Sequence, residues 1–242
     1  DGPDAPKYGG TTMNGIFYGV SVGPGDPELL TLKAVRIIRT CDVIAVPRSS
    51  ENGEQVALEI ARAAVPELSQ KEIVPLDMPM THDAAVLEKA RAQAVETIIN
   101  YLKQGSSVAF LTIGDVSIYS TYGYLHGRVI GRGYTAKMVA GVPSFCAAAA
   151  RLGESLTEPK LPVHLIPAAY GGVAESLDLP GTKVLMKSGK TLKQTIDALR
   201  ACGRTDVRIV QRCGLPGERV FYNLDEWDNP GEYLSIVIVK DG

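Results

Sequence analysis

The feature that most constrains this chain is a repeated switch between two hydrophobic periods. Short apolar runs alternate with longer amphipathic ones through the first half. Ile16–Val22 reads as a strand and is followed by a Gly-Pro-Gly-Asp turn. A helix is predicted over Leu29–Arg39, with Asp26 able to cap, Pro27 suited to the first helical position and Glu28 favoured at the positive end. Val43–Pro47 and Ile73–Leu76 read as further strands. The helix predicted over Val86–Leu102 carries Leu87, Ala90, Ala94, Ile98 and Leu102 on one face, with Gly105 just past its end. Val108–Thr112 is nearly all apolar, as a strand buried on both faces should be, and Ala136–Ala140 is a fifth strand. Strands separated by helices imply parallel pairing through right-handed crossovers.

The second half repeats the alternation with different punctuation. A short Ala-rich helix is predicted over Pro143–Leu152, followed by a polar stretch with Pro159 and Pro162. Val163–Ile166, Lys183–Met186, Val207–Gln211 and Leu234–Val239 read as strands, and Leu192–Cys202 as a helix ended by Gly203. A domain boundary is expected near residues 141–155, giving α/β domains over 13–141 and 142–242. Residues 1–12 are polar and rich in Gly and Pro, Met13 looks like a natural start, and the segment before it is expected to be a non-native or flexible extension.

Composition narrows the class. At 242 residues, 45% hydrophobic and 21% charged, the chain can bury a sizeable core without disulfide or metal staples. A net charge of −2 argues against nucleic acid as the main partner. Cys41, Cys146, Cys202 and Cys213 form no C-x-x-C pair and read as reduced cysteines of a cytoplasmic protein. His82, His126 and His164 lie far apart, so no protein-held metal is expected. There is neither a run of 18 apolar residues nor a signal peptide, so neither a membrane span nor secretion is expected.

Three segments could carry chemistry. Gly23-Pro24-Gly25-Asp26-Pro27-Glu28 joins a strand to a helix, and its glycines permit a tight turn or close approach of a ligand. A dinucleotide loop would need glycine where Glu28 stands and an acid where the second strand ends in Val46-Pro47-Arg48; Glu28 would oppose a pyrophosphate. A capped turn with no ligand is the competing reading. Leu111–Thr121 follows the fourth strand at its carboxyl end, where open α/β sheets bind ligands. There Gly114 allows close approach, and Asp115 could bind a ribose, attract a cation, or simply cap a helix. Val139–Cys146 precedes Ala147–Ala150, and its small residues suit close packing, with or without a ligand.

Taken in order, GPGDPELLTLKA at Gly23–Ala34, the I-G-D-x-x-I-Y segment at Ile113–Tyr119 and GVPSFCAAAA at Gly141–Ala150 resemble the tetrapyrrole methylase family. GVPSFCAAAARLG, Val184-Leu185-Met186-Lys187 and Gln211-Arg212-Cys213-Gly214 resemble its precorrin-2 C(20)-methyltransferase branch, which includes the cobalt-factor II enzymes. The resemblance runs from about Met13 to Lys240. One departure stands out: the family usually has Gly-Asp-Pro, and here Val116 replaces the proline.

The resemblance implies a fold of two α/β domains, an N-terminal one with a mostly parallel sheet and a C-terminal one with a mixed sheet, and an active-site cleft between them. It implies S-adenosylmethionine as methyl donor, held mostly by backbone groups and released as S-adenosylhomocysteine. Carried over position by position, Pro24 lies in the first loop of the pocket. Ile113, Gly114, Asp115 and Ile118 surround the ribose and methionine parts, Pro143 and Ser144 line the pocket, and Met186, Cys213 and Ser235 contact the adenine side. The implied substrate is a tetrapyrrole with several carboxylates. Arg48, Lys187 and Arg212, at strand ends, are candidates to bind them, and Tyr119, with Tyr122 and Tyr124, to flank the macrocycle. No catalytic residue is singled out: His126, Tyr119 and Asp115 could each accept a proton. The resemblance also implies a homodimer. Other members of the superfamily, which act on a different ring carbon, RNA or protein, remain alternatives, as does a noncatalytic binding module.

Overall fold

The computed structural model describes residues 14–49, 55–171, 173–228 and 233–241. The expectations for residues 1–12 and for Met13 lie outside them. The chain divides into two compact units. The first comprises the described residues up to Val22 together with Leu30–Gly141; the second comprises Gly23–Leu29 and the residues from Val142 onward.

The first unit is built on five strands: β1 (Phe17–Ser21), β2 (Val43–Arg48), β3 (Glu72–Asp77), β4 (Val108–Thr112) and β5 (Ala136–Val139). All pair in parallel, in the order β3-β2-β4-β1-β5. Its helices are α1 (Leu32–Thr40), α2 (Val56–Ala64), α3 (Ala84–Lys103) and α4 (Tyr122–Gly131). One face of the sheet buries Phe17, Val43, Ala45, Val108 and Phe110 against Ala94, Ile98 and Leu102 of α3 and Tyr122, Leu125 and Val129 of α4. The Tyr122 ring packs on Phe17 at a 4.9 Å centroid distance. A Cβ on Gly19 would come within 2.6 Å of that ring, so glycine is what lets the ring lie flat on β1.

Neighbouring β1 and β4 are the point where the topology changes direction. From β1 the chain crosses to β2, and from β4 it crosses the other way to β5. With right-handed crossovers the two connections pass on opposite faces of the sheet, so the loops leaving β1 and β4 part at the carboxyl ends of these strands, where open α/β sheets bind ligands.

The predicted helix after β1 is two pieces. Pro27–Leu29 forms a 3-10 turn in which the Asp26 carboxylate accepts from Glu28 N at 2.8 Å. The α-helix begins later, because Thr31 caps it by accepting from Ala34 N at 3.1 Å. Asp26 therefore caps the short turn and Thr31 the helix. Helix α4, which periodicity alone did not suggest, contains Gly123, Gly127 and Gly131; these lower its intrinsic propensity, and burial of Tyr122, Leu125 and Val129 compensates.

In the second unit lie α5 (Ser144–Leu152), β6 (Val163–Pro167), α6 (Val173–Ser176), β7 (Thr182–Met186), α7 (Leu192–Ala201), β8 (Val207–Gln211), β9 (Arg219–Phe221) and β10 (Ser235–Val239). The sheet order is β6-β7-β10-β8-β9. β6 and β7 are parallel, whereas β10 runs antiparallel to both β7 and β8, and β9 to β8. The sheet is mixed, as the resemblance implied. This topology brings the carboxyl ends of β6, β7 and β8 and the amino end of β10 to one edge, since Pro167 pairs with Met186 and Ser235 with Gln211.

Candidate functional site

In the first unit the site residues cluster on the loop leaving β4. Ile113, Gly114, Asp115, Ile118 and Tyr119 all lie there, with Gly114 at a φ of 72°. The Asp115 carboxylate is buried and accepts three hydrogen bonds from the protein. One oxygen accepts from Ser117 N at 2.8 Å and from the Ser117 hydroxyl; the other accepts from Gly141 N at 2.7 Å. Burial pushes this carboxyl up, but the bonds from Gly141 and Ser117 outweigh it and hold it below the usual aspartate range. Asp115 thus ties the β4 loop to the residues after β5, and it bends its own loop by an Asx-type contact.

Ser21, the last residue of β1 and wholly buried, adds two further ties. Its hydroxyl donates to Val139 O at 2.7 Å and accepts from Val116 N at 2.8 Å. Sequence reasoning passed over Ser21. The signal was present, as a small polar residue near the end of an apolar strand run.

The remaining candidates in this unit lie elsewhere on the sheet. Arg48 ends β2 and pairs with Asp77, which ends β3, through Nε at 2.8 Å and Nη2 at 2.7 Å. The pair borders a cavity of about 330 Å³ with Lys89 and Gln93 of α3. Tyr122 does not flank an open surface: its side chain is core, and its hydroxyl donates to Lys137 O at 2.9 Å. His126 Nδ1 lies 3.0 Å from that hydroxyl. Lys137 and Phe17 mark the amino ends of β5 and β1, so His126 serves the opposite end of the sheet from Asp115. Tyr124 is exposed and stacks under the Arg91 guanidinium at 3.7 Å.

In the second unit Pro24, Met186, Cys213 and Ser235 belong to one edge. Pro24 is buried in a loop that interlocks with the one after β8. A Cβ on Gly25 would lie 2.2 Å from Cys213 O, and one on Gly214 would lie 2.5 Å from Asp26 N. Only glycines allow these two backbones so close. Glu218 fixes the second loop by accepting from Gly214 N at 2.7 Å while it pairs with Arg151. Burial pushes the Cys213 thiol up to about 11, with Glu218 and Asp26 adding to the rise and Arg151 opposing it, so at neutral pH it is an uncharged thiol and no nucleophile. Gln211, almost fully buried, donates to Ser235 Oγ at 3.3 Å. Pro143 precedes α5 and Ser144 opens it, both half-buried. Glu218 and Gln211 were also missed; neither breaks the local pattern of its segment.

Three non-glycine residues among those described have positive φ: Tyr119 at 49°, Lys187 at 56° and Arg212 at 50°. Each follows a strand of its own sheet, and each costs about 1–3 kcal/mol of backbone strain. All three are candidates for substrate contact. Ser188, beside Lys187, buries its Oγ without a hydrogen-bond partner.

Among the described residues these two strand-end clusters of an α/β chain are built from backbone, small residues and committed acids, with no assembled nucleophile–base pair. Among the described residues no group of three or more His, Cys, Asp or Glu side chains could hold a metal, and no helix is long and apolar enough to cross a membrane. The chain belongs to the Tetrapyrrole (Corrin/Porphyrin) Methylases, whose family model matches residues 17–227. It is 33% identical over 226 residues to the probable cobalt-precorrin-2 C(20)-methyltransferase of Methanocaldococcus jannaschii, covering 92% of this chain and 95% of that one. It is 31% identical to the cobalt-precorrin-2 C(20)-methyltransferase of Salmonella typhimurium, covering 94% and 97%. A uroporphyrin-III C-methyl transferase from Thermus thermophilus, solved with S-adenyl homocysteine, shares the fold at a TM-score of 0.67 and 23% identity, covering 93% and 92%.

Asp115→Ala should lower unfolding stability by about 1–3 kcal/mol, because Gly141 and Ser117 lose their acceptor. The contribution of a depressed carboxyl is complete above its unfolded value of about 3.9 and is lost as pH falls through the lower folded value. Urea unfolding of both proteins from pH 7 downward should show a constant difference that shrinks only below about pH 4. A difference independent of pH would contradict the role given to the carboxylate.

Proposed function

We propose that this protein is an S-adenosylmethionine-dependent C-methyltransferase that methylates C-20 of precorrin-2 or of its cobalt-containing counterpart in cobalamin biosynthesis. The end-to-end match to relatives named cobalt-precorrin-2 C(20)-methyltransferase carries this reading. We assign Pro24, Ile113, Gly114, Asp115, Ile118, Pro143, Ser144, Met186, Cys213 and Ser235 to the cofactor. Arg48, Tyr119, Lys187 and Arg212 are assigned to the substrate.

Bound there, S-adenosylmethionine supplies a methyl already activated on a sulfonium, so the chain needs no strong nucleophile of its own. The composition of both clusters is in keeping with that demand. Asp115 spends its oxygens on Ser117 and Gly141, and so shapes the cofactor loop rather than serving as a free base. Cys213 is a neutral thiol and adds no competing nucleophile for an activated methyl. Lys187 and Arg212, fixed in strained backbone at the edge of the second sheet, offer cationic groups for the carboxylates of a tetrapyrrole. The task left to the protein is to hold the attacking carbon in line with the methyl and to exclude water. A cytoplasmic homodimer completes the reading.

Anaerobic incubation with methyl-labelled S-adenosylmethionine and either precorrin-2 or cobalt-factor II should place the label at C-20 by NMR. Absence of label with both substrates sinks the assignment, and tight cofactor binding without transfer would make the chain a binding module instead. Sedimentation at micromolar concentration should give twice the monomer mass; a single species at monomer mass removes the dimer.

A further inference from the structure

We propose that Ser21 is a positioning residue for the cofactor loop, and that its hydroxyl and the Val116 amide form a matched pair doing the work a proline would otherwise do. The inference rests on the assignment of Ile113–Ile118 to the cofactor.

A buried hydroxyl has to find partners for its proton and its lone pairs, or its desolvation goes uncompensated. Ser21, wholly buried at the end of β1, meets this by donating to Val139 O at 2.7 Å and accepting from Val116 N at 2.8 Å. One side chain thereby joins β1, the β4 loop and the end of β5. The circuit closes through Asp115, the residue before Val116, which holds Gly141 N at 2.7 Å. Gly141 is also what makes room for Ser21, since a Cβ there would sit 2.3 Å from the serine Cβ. Ser21, Val116, Asp115 and Gly141 therefore fix one another, and Gly114 lies inside the fixed segment.

The pair is selective for the residue at 116. A proline has no N–H to donate, and its Cδ would press on the Ser21 hydroxyl. The two solutions are mutually exclusive. Either a hydroxyl at 21 meets an amide N–H at 116, or a ring at 116 stiffens the turn and no hydroxyl is wanted. Val116, whose amide N–H donates to the Ser21 hydroxyl, goes with the first solution. Removing one partner of a buried bond is costly, whereas removing both is close to neutral. The two substitutions should therefore compensate.

The test is a double-mutant cycle on Ser21→Ala and Val116→Pro, read by calorimetric titration of S-adenosylhomocysteine well below the unfolding temperature of every variant. Each single variant should raise Kd about tenfold, and the double variant also about tenfold rather than the hundredfold that independence requires. The loss of a donor to Val139 O and of the valine packing occurs both in a single variant and in the double one, so it cancels from the coupling. A hundredfold loss in the double variant overturns the pairing. Lowered unfolding temperatures with unchanged Kd values overturn the positioning role. Should Val116→Pro fail to fold, hydrogen exchange of the intact protein decides: the Val116 amide should be protected, and more so with S-adenosylhomocysteine, and an unprotected amide overturns the proposal. If the unaltered protein does not bind S-adenosylhomocysteine, the cofactor assignment fails on its own, and the coupling in unfolding free energy still decides whether the pair exists.

Discussion

The bond from Gly141 N to the Asp115 carboxylate is the contact on which the arrangement of the first unit's strand-end loops depends. A parallel sheet delivers its loops to one edge but does not hold them in register with one another. Asp115 does so by joining the loop after β4 to the residues after β5, on either side of β1. A buried carboxylate is tolerated because three donors meet it, and those donors are what keep it ionised. An acid that an isolated motif would offer to a ribose or a cation is thus first a structural tie, and any ligand meets the loop it shapes.

The second unit solves the same problem with a different residue. Glu218 holds Gly214 N, as Asp115 holds Gly141 N, and it too is kept below the ordinary glutamate range: burial opposes this, and the bonds from Gly214 and Arg151 prevail. The interlock of Gly25 with Cys213 and of Gly214 with Asp26 explains why Gly23–Leu29 groups with the second unit although β1 precedes it and α1 follows it. Strain is concentrated at the same sheet edges, in Tyr119, Lys187 and Arg212, where a fold that only had to be stable would have used glycine.

Nine strands among the described residues were legible because their apolar runs are long and bounded by turn residues, whereas β9, three residues long and opened by Arg219, was not. Helix α4 was not, since three glycines mask a periodicity that only the packing of Tyr122 and Leu125 reveals. The start of α1 was misplaced because Asp26 and Thr31 are both good caps, and only the path of Gly23–Leu29 decides between them. The candidate site was read as ordered motifs through Pro24, Gly114, Asp115 and Ser144, yet the hydrogen bonds that hold those loops were not legible. Ser21 reaches Val116 across 95 residues, Gln211 reaches Ser235 across 24 and Glu218 reaches Arg151 across 67, and no local pattern encodes such partners. The macrocycle-flanking role suggested for Tyr122 failed for a related reason: a tyrosine near a strand end gives no sign that Gly19 has cleared a place for its ring.

The loop tied by Asp115 is the proposed seat of the cofactor. Titration of nitrogen-labelled protein with S-adenosylhomocysteine, followed by amide NMR, tests this directly. The largest shifts within the first unit should fall on Gly114, Val116 and Ile118 of the β4 loop, with little change at the Arg48–Asp77 pair or around His126. Saturable binding with shifts confined to those other places, or no shifts at Gly114 and Val116, would contradict it.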